Sequence, residues 1–178
     1  MPQFSQGYDR LVYIGSDKEF ISHTGAYQLR SINWPSQDVT TILDVVPDQP
    51  DDSADFGGLY GFHNIFEHSG FLHNSSKYFV LSSEFKGRER IYLVDLHTKE
   101  VRTIILPCDV GRTGHYTLMD RDANLLVFRY AQVDAVPHIY CVRFVGTEVD
   151  TIEGLMEPRN MDILLIEKAE LGSSEFCS

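Results

Sequence analysis

Two stretches of this chain share one pattern: YQLRSINWPSQDVTTIL at residues 27–43 and FKGRERIYLVDLHTKEVRTIIL at residues 85–106. At an offset of 62, Leu29 falls on Ile91, Ile32 on Val94, Asn33 on Asp95, Asp38 on Glu100, Val39 on Val101, Thr41 on Thr103 and Ile42 on Ile104. The run that precedes each hairpin recurs as well, as RLVYIGS (10–16), YFVLSSE (78–84) and LLVFRYA (125–131), the second step being 47 residues. Self-similarity at a period in the forties, built from short strands, is the signature of stacked β-units and restricts the fold more than any composition does.

Runs rich in Val, Ile, Leu, Tyr and Phe recur at 11–14, 29–33, 39–46, 78–81, 91–95, 101–106, 116–119, 125–130, 139–145 and 163–167, separated by polar or glycine-bearing turns. That succession predicts an all-β chain of hairpins. The stretch MDILLIEKAEL (161–171) carries the one competing helical signal, and its DILLIEK reads better as a strand. Runs such as YFVLS and NLLVFRY are apolar on both sides, so each sheet needs a neighbour on either face and is marginal alone. The expectation is a partial β-propeller of about two and a half to three four-stranded antiparallel blades across 1–158: an incomplete blade at 1–47, an acidic insertion at 48–58, and blades at 59–110 and 111–158. Residues 159–178 would form a strand and linker leading onward. The competing architecture is a closed sandwich or barrel of about ten strands. An incomplete ring leaves two faces and several strand edges open, so the isolated chain is expected to associate, aggregate or unfold in part.

Hydrophobic residues make up 43% and charged residues 23% of the 178, the balance of a folded chain. The formal net charge of -11 argues against a nucleic-acid partner and against anionic membrane surfaces, because the basic residues are scattered among acids. Cys108, Cys141 and Cys177 are too far apart for a CxxC pair or a zinc knuckle and read as free thiols. The N-terminus lacks the basic start and apolar run of a signal peptide, and no apolar stretch approaches the length of a membrane span. A cytoplasmic location follows by elimination. The sequon Asn74–Ser76 is then a chance match.

The order DVVP, acidic insertion, FGGLYG (44–61), followed by FLHNSSKYFVLSSEFKGRERIYLVDLHTKEVRTI and YTLMDRDANLLVFRYAQVDAVPHIYCVRF, resembles the late propeller of the acylaminoacyl-peptidase family, within the prolyl oligopeptidase group of serine peptidases. MDILLIEK resembles the first strand leading into that family's hydrolase domain. The resemblance covers about residues 3–168 and rests on the order of elements, since no single propeller strand is diagnostic. It implies a cytoplasmic, homo-oligomeric parent enzyme in which a propeller restricts access to an α/β-hydrolase domain of the same chain that releases N-acylated residues from blocked peptides. The chemistry would belong to that other domain, whose serine sits in a G-x-S-x-G elbow with Asp and His following. Here the nearest approach is GSSEF (172–176), which lacks the second glycine. No catalytic, cofactor-binding or metal-ligating residue carries over, and no cofactor is expected; this chain would be the non-catalytic, access-gating part. The alternative is a stand-alone propeller or sandwich that binds protein partners; WD dipeptides, which would mark the commonest such propellers, are missing from the sequence.

Three further constellations invite chemistry. His63, His68 and His73, with Glu67, stand five residues apart, a spacing that alternates faces of a strand and suits structural histidines better than ligands. Lys86, Arg88 and Arg90, flanked by Glu84 and Glu89, read as a solvated hairpin turn with weak ion pairs, or else as a charged rim that steers peptide termini. GGLYG and VGRTGH lie between strands, not between strand and helix, so they suit chain turns better than a nucleotide cradle. Trp34, ahead of Pro35 in a hairpin, is expected to pack at a blade edge.

Overall fold

The computed structural model describes residues 2–15, 27–47, 56–61, 70–72, 76–109, 113–133, 135–145 and 149–168. Within them the chain forms β1 (Gln3–Phe4), β2 (Arg10–Gly15), β3 (Gln28–Asn33), β4 (Val39–Leu43), β5 (Gly70–Phe71), β6 (Tyr78–Phe85), β7 (Arg88–Asp95), β8 (Val101–Thr103), β9 (His115–Asp122), β10 (Leu125–Ala131), β11 (His138–Phe144), a single helical turn α1 (Ile152–Leu155) and β12 (Met161–Lys168). Three four-stranded sheets result, ordered β1-β2-β3-β4, β5-β6-β7-β8 and β9-β10-β11-β12, with antiparallel neighbours throughout. Consecutive strands paired within consecutive sheets are the construction of successive propeller blades.

Two expected boundaries change. The first sheet is not incomplete, because Gln3–Phe4 supplies a fourth strand, pairing Phe4 with Leu11. The third sheet does not end at 158: Met161–Lys168 pairs along the whole of β11, from Phe144↔Met161 to His138↔Lys168. DILLIEK is thus a strand, as its pattern suggested, and it belongs to the third sheet. Met161 and Ile163 pack against the core between the second and third sheets, which a free linker would not do.

The hairpin turns repeat as closely as the strands. Asn33 N–H donates to Asp38 O (3.1 Å) and Gln37 N–H to Asn33 O (2.8 Å); 62 residues on, Asp95 N–H donates to Glu100 O (2.9 Å) and Lys99 N–H to Asp95 O (2.8 Å). Gln37 and Lys99 both occupy the left-handed region, at φ 62° and 65°. Ser36 Oγ and Thr98 Oγ1 each accept the N–H two residues on, at 3.4 Å. Asp95 adds a side-chain cap, its Oδ1 accepting from His97 and Thr98 N–H.

The core lies between the sheets. Val12, Leu29, Ile42 and Leu43 of the first sheet pack with Phe71, Phe79, Leu81, Tyr92 and Val94 of the second. The alternate residues of the second sheet, Tyr78, Val80, Ile91 and Leu93, pack with Tyr116, Leu118, Leu126, Phe128, Tyr130 and Val142 of the third. The second sheet is therefore buried on both faces, which explains its near-continuous apolar runs. Polar ties cross the sheets too. Arg121 of β9 reaches Phe71 O of β5 at 3.2 Å, and Tyr78 Oη donates to Val149 O at 2.9 Å. Burial holds the Arg121 guanidinium below the usual arginine range.

Candidate functional site

Each sheet has a front, turned toward the sheet before it in the chain, and a back, turned toward the sheet after it. The repeat sets which residue lies on which side. Val12, Val80 and Val127 hold one position of the recurring strand; Val12 and Val80 point to the back, into the two cores. Leu126 and Phe128 point to the front, as do Phe79 and Leu81 one sheet earlier. Both cores are thus the same back-to-front contact made twice. Among the described residues, two surfaces have no covering sheet: the front of the first sheet and the back of the third.

The front of the first sheet carries a cross-strand row, Phe4–Leu11–Ile32–Val39, that spans all four strands. Its ends are exposed, Phe4 at 48% and Val39 at 58%, and its centre is partly buried. The second sheet holds the matching row, Phe71–Phe79–Val94–Val101, and there it is covered by the first sheet. One row faces a neighbour and the other does not, yet the residue classes are the same: aromatic, then large apolar, then two β-branched residues. Beside the open row runs Tyr13–Arg30–Thr41. The back of the third sheet presents Asp120–Val127–Cys141–Leu164, with Leu164 exposed at 53%. Alongside it, Arg143 and Asp162 form an ion pair at 2.6 Å. Burial raises the Cys141 thiol above its ordinary range.

The residues singled out from sequence fare differently. Lys86 and Glu84 are exposed at the β6–β7 turn, where Lys86 and Gly87 take φ 49° and 74°. Glu89 and Arg90 are buried, so the solvated-turn expectation fails for them. Arg90 lies 4.8 Å above the Phe85 ring, and Glu89 stands 3.6 Å from His115 Nε2 of the next sheet. Both inward placements follow from the hairpin continuing as a strand through residue 88, which turns alternate residues toward neighbours. Trp34 is half exposed, and its backbone N–H, at 2.7 Å from Asp9 O, is what ties it down. GGLYG forms a joint between the first two sheets. Leu59 bridges to Tyr27, Ser83 Oγ donates to Gly58 O and accepts from Tyr60 N–H, and Tyr60 Oη donates to Val46 O. Gly58, at φ 101°, serves the turn that this joint needs. Cys108 and Cys141 are free thiols, exposed and buried respectively. His63, Glu67, His68, His73, Cys177 and the sequon's Asn74 lie outside the described residues.

One polar cluster had no sequence signal. Asp109, buried, accepts from Thr113 N–H (3.0 Å), Gly114 N–H (2.9 Å) and Tyr116 Oη (2.8 Å), while Tyr116 Oη accepts from Leu106 N–H (3.1 Å). It closes the connection from the second sheet to the third, a structural task. Among the described residues no helix is long and apolar enough to cross a membrane.

No protein-family model matches the chain, and no curated protein matches it. Among solved structures, the chain is similar to TolB from Acinetobacter baumannii, at 15% identity and a TM-score of 0.45. That match covers 80% of this chain and 29% of TolB, so the chain spans under a third of that structure's length.

Proposed function

We propose that this chain is a non-catalytic propeller segment whose work is to pack against further sheets and so complete an access-restricting ring, as the propeller of an acylaminoacyl-peptidase does for its hydrolase domain. The observation that carries the segment reading is the open row Phe4–Leu11–Ile32–Val39, built with the residue classes of a row that is buried one sheet later. The peptidase part is supported by the sequence resemblance. On this reading the N-acylated peptide is the parent enzyme's substrate, and the chain's contribution is to limit its size.

Two measurements test the proposal. The purified chain should turn over an acetylated chromogenic amino-acid substrate no faster than a buffer blank, and turnover above that blank would overturn the non-catalytic role. Genomic sequence in frame beyond codon 178 should encode a G-x-S-x-G elbow with Asp and then His after it. Downstream sequence without that order would remove the peptidase part and leave the packing segment.

A further inference from the structure

We propose that Cys108 is a site of reversible oxidation, where a hydroperoxide adds one oxygen atom to the sulfur and the phenols of Tyr130 and Tyr140 hold the product. The site lies where the second sheet passes to the third, both within this chain, and is independent of the proposed function.

Cys108 follows β8 and is exposed. Its Sγ stands 3.7 Å from Tyr140 Oη of β11. An exposed thiol alone fits many roles; here a buried donor beside it has no acceptor. Tyr130 is only 5% exposed, and its Oη makes no hydrogen bond. Its ring lies edge-on to Tyr140, with centroids 6.1 Å apart. Its far end lies against Gly114, where an added Cβ would come within 2.1 Å of Cε2 and 2.9 Å of Cζ. Gly114 N–H in turn donates to Asp109, the residue next to Cys108. The Tyr130 hydroxyl is thus directed at the Cys108–Asp109 segment, and both residues act on it electrostatically. Asp109 does not satisfy it, because that carboxylate is taken up by Thr113 N–H, Gly114 N–H and Tyr116 Oη. Across the ladder from Tyr130, His138 has a buried Nδ1 that also lacks a partner.

A buried phenol without an acceptor is destabilising. Oxidation of the neighbouring thiol supplies the acceptor. A sulfur lone pair attacks one oxygen of the hydroperoxide, so that the S–O bond forms as the O–O bond breaks. The departing oxygen keeps the electron pair and takes the thiol proton, leaving as water when the oxidant is hydrogen peroxide. The added oxygen then accepts from Tyr130 Oη and Tyr140 Oη, which holds the sulfur at the sulfenic stage. A small thiol reverses the step: its sulfur displaces the added oxygen as water to give a mixed disulfide, and a second thiol releases Cys108.

The test treats the full chain with hydrogen peroxide, removes the peroxide, and traps with dimedone at successive times. Peptide mapping by mass spectrometry then reads how long the oxidised sulfur survives at each cysteine. Cys108 should carry the adduct, and a small thiol added before dimedone should abolish it. In Tyr130→Phe and in Tyr140→Phe the lifetime should fall at least about tenfold, the worth of one hydrogen bond to an ionised group. Both variants keep the ring, and circular dichroism checks that they fold. An adduct equally long-lived in wild type and both variants would overturn the inference, leaving Cys108 an exposed thiol and nothing more. So would wild-type Cys108 passing straight to an acid that thiols do not reduce. So would a reduced Tyr130→Phe chain that is less stable to urea than wild type, because that phenol would already have its partner. None of these results bears on the substrate assay or the downstream reading frame, so failure here is distinguishable from failure of the proposed function.

Discussion

Tyr92 and Tyr116 are phenols in places where a phenolate is costly. Tyr92 is fully enclosed between the first two sheets, and burial pushes its pKa up to about 12 from an ordinary 10.0. Tyr116 is raised in the same direction, again chiefly by burial. The sign follows directly: in the unfolded chain these phenols ionise near pH 10.0, while the folded chain holds the Tyr92 proton to about pH 12. Their contribution is intact below pH 10 and is lost as pH rises through the folded value, Tyr92 alone accounting for on the order of 2 kcal/mol. Urea melts followed at successive alkaline pH values should show stability falling over that window, with phenolate absorbance from Tyr92 appearing only as the chain unfolds. A melt unchanged from pH 9 to pH 12 would contradict the burial. At this scale little was legible in advance. Asp109 is an unremarkable acid in a loop, and its partners at 113, 114 and 116 become visible only when that loop folds back.

The hairpin turns are the elements where sequence and structure agree most closely. Gln37 and Lys99 sit at matching left-handed positions, and Lys86 with Gly87 forms the two-residue turn joining β6 to β7. A residue with a Cβ is strained there, so Lys99→Gly should stabilise by up to about 1 kcal/mol. Gly87→Ala should destabilise by about 1 kcal/mol, through backbone strain alone, because a Cβ at Gly87 meets nothing within 4 Å. Denaturant midpoints at constant m-value check both; a stabilising Gly87→Ala would sink the assignment of that turn. Each of the ten runs marked from the apolar pattern contains a strand, but those at 39–46 and 101–106 run three residues past Val39–Leu43 and Val101–Thr103. Gln3–Phe4 and Gly70–Phe71 escaped because two residues carry no periodicity, and they become strands only by pairing with the longer neighbours Arg10–Gly15 and Tyr78–Phe85. The turn of helix at Ile152–Leu155 escaped for a similar reason: four residues, capped by Thr151, are held by the burial of Ile152 and Leu155 in the second core.

For the molecule as a whole, the second sheet is shared by both cores, and this should make the three sheets melt together. Phe79 belongs to the core with the first sheet and Phe128 to the core with the third. Phe79→Ala and Phe128→Ala should each cost about 3–5 kcal/mol. Trp34, the one tryptophan, stands in the first sheet's hairpin, far along the chain from Phe128. Its fluorescence should nevertheless shift with Phe128→Ala by as much as far-ultraviolet circular dichroism does, since the loss passes through the common sheet. Two separated transitions, with Trp34 fluorescence unmoved, would show that the sheets fold independently. The candidate site was half legible in the same terms. That faces would be left open followed from counting repeats, but which faces they are depended on the direction in which the sheets stack.

By itself the sequence determined that this is an all-β chain, that its unit is a four-stranded hairpin sheet repeated about three times, and where the turns and most strands lie, because these depend on local pattern and on residues within a few positions of one another. Tertiary structure alone decided that Met161–Lys168 completes the third sheet, that Glu89 and Arg90 are buried, that Asp109 and Tyr116 fasten one sheet to the next, and that the uncovered surfaces are a front and a back. Those outcomes depend on contacts between residues distant in the chain, where burial and pairing are settled by which sheet arrives alongside and not by the pattern of any one strand.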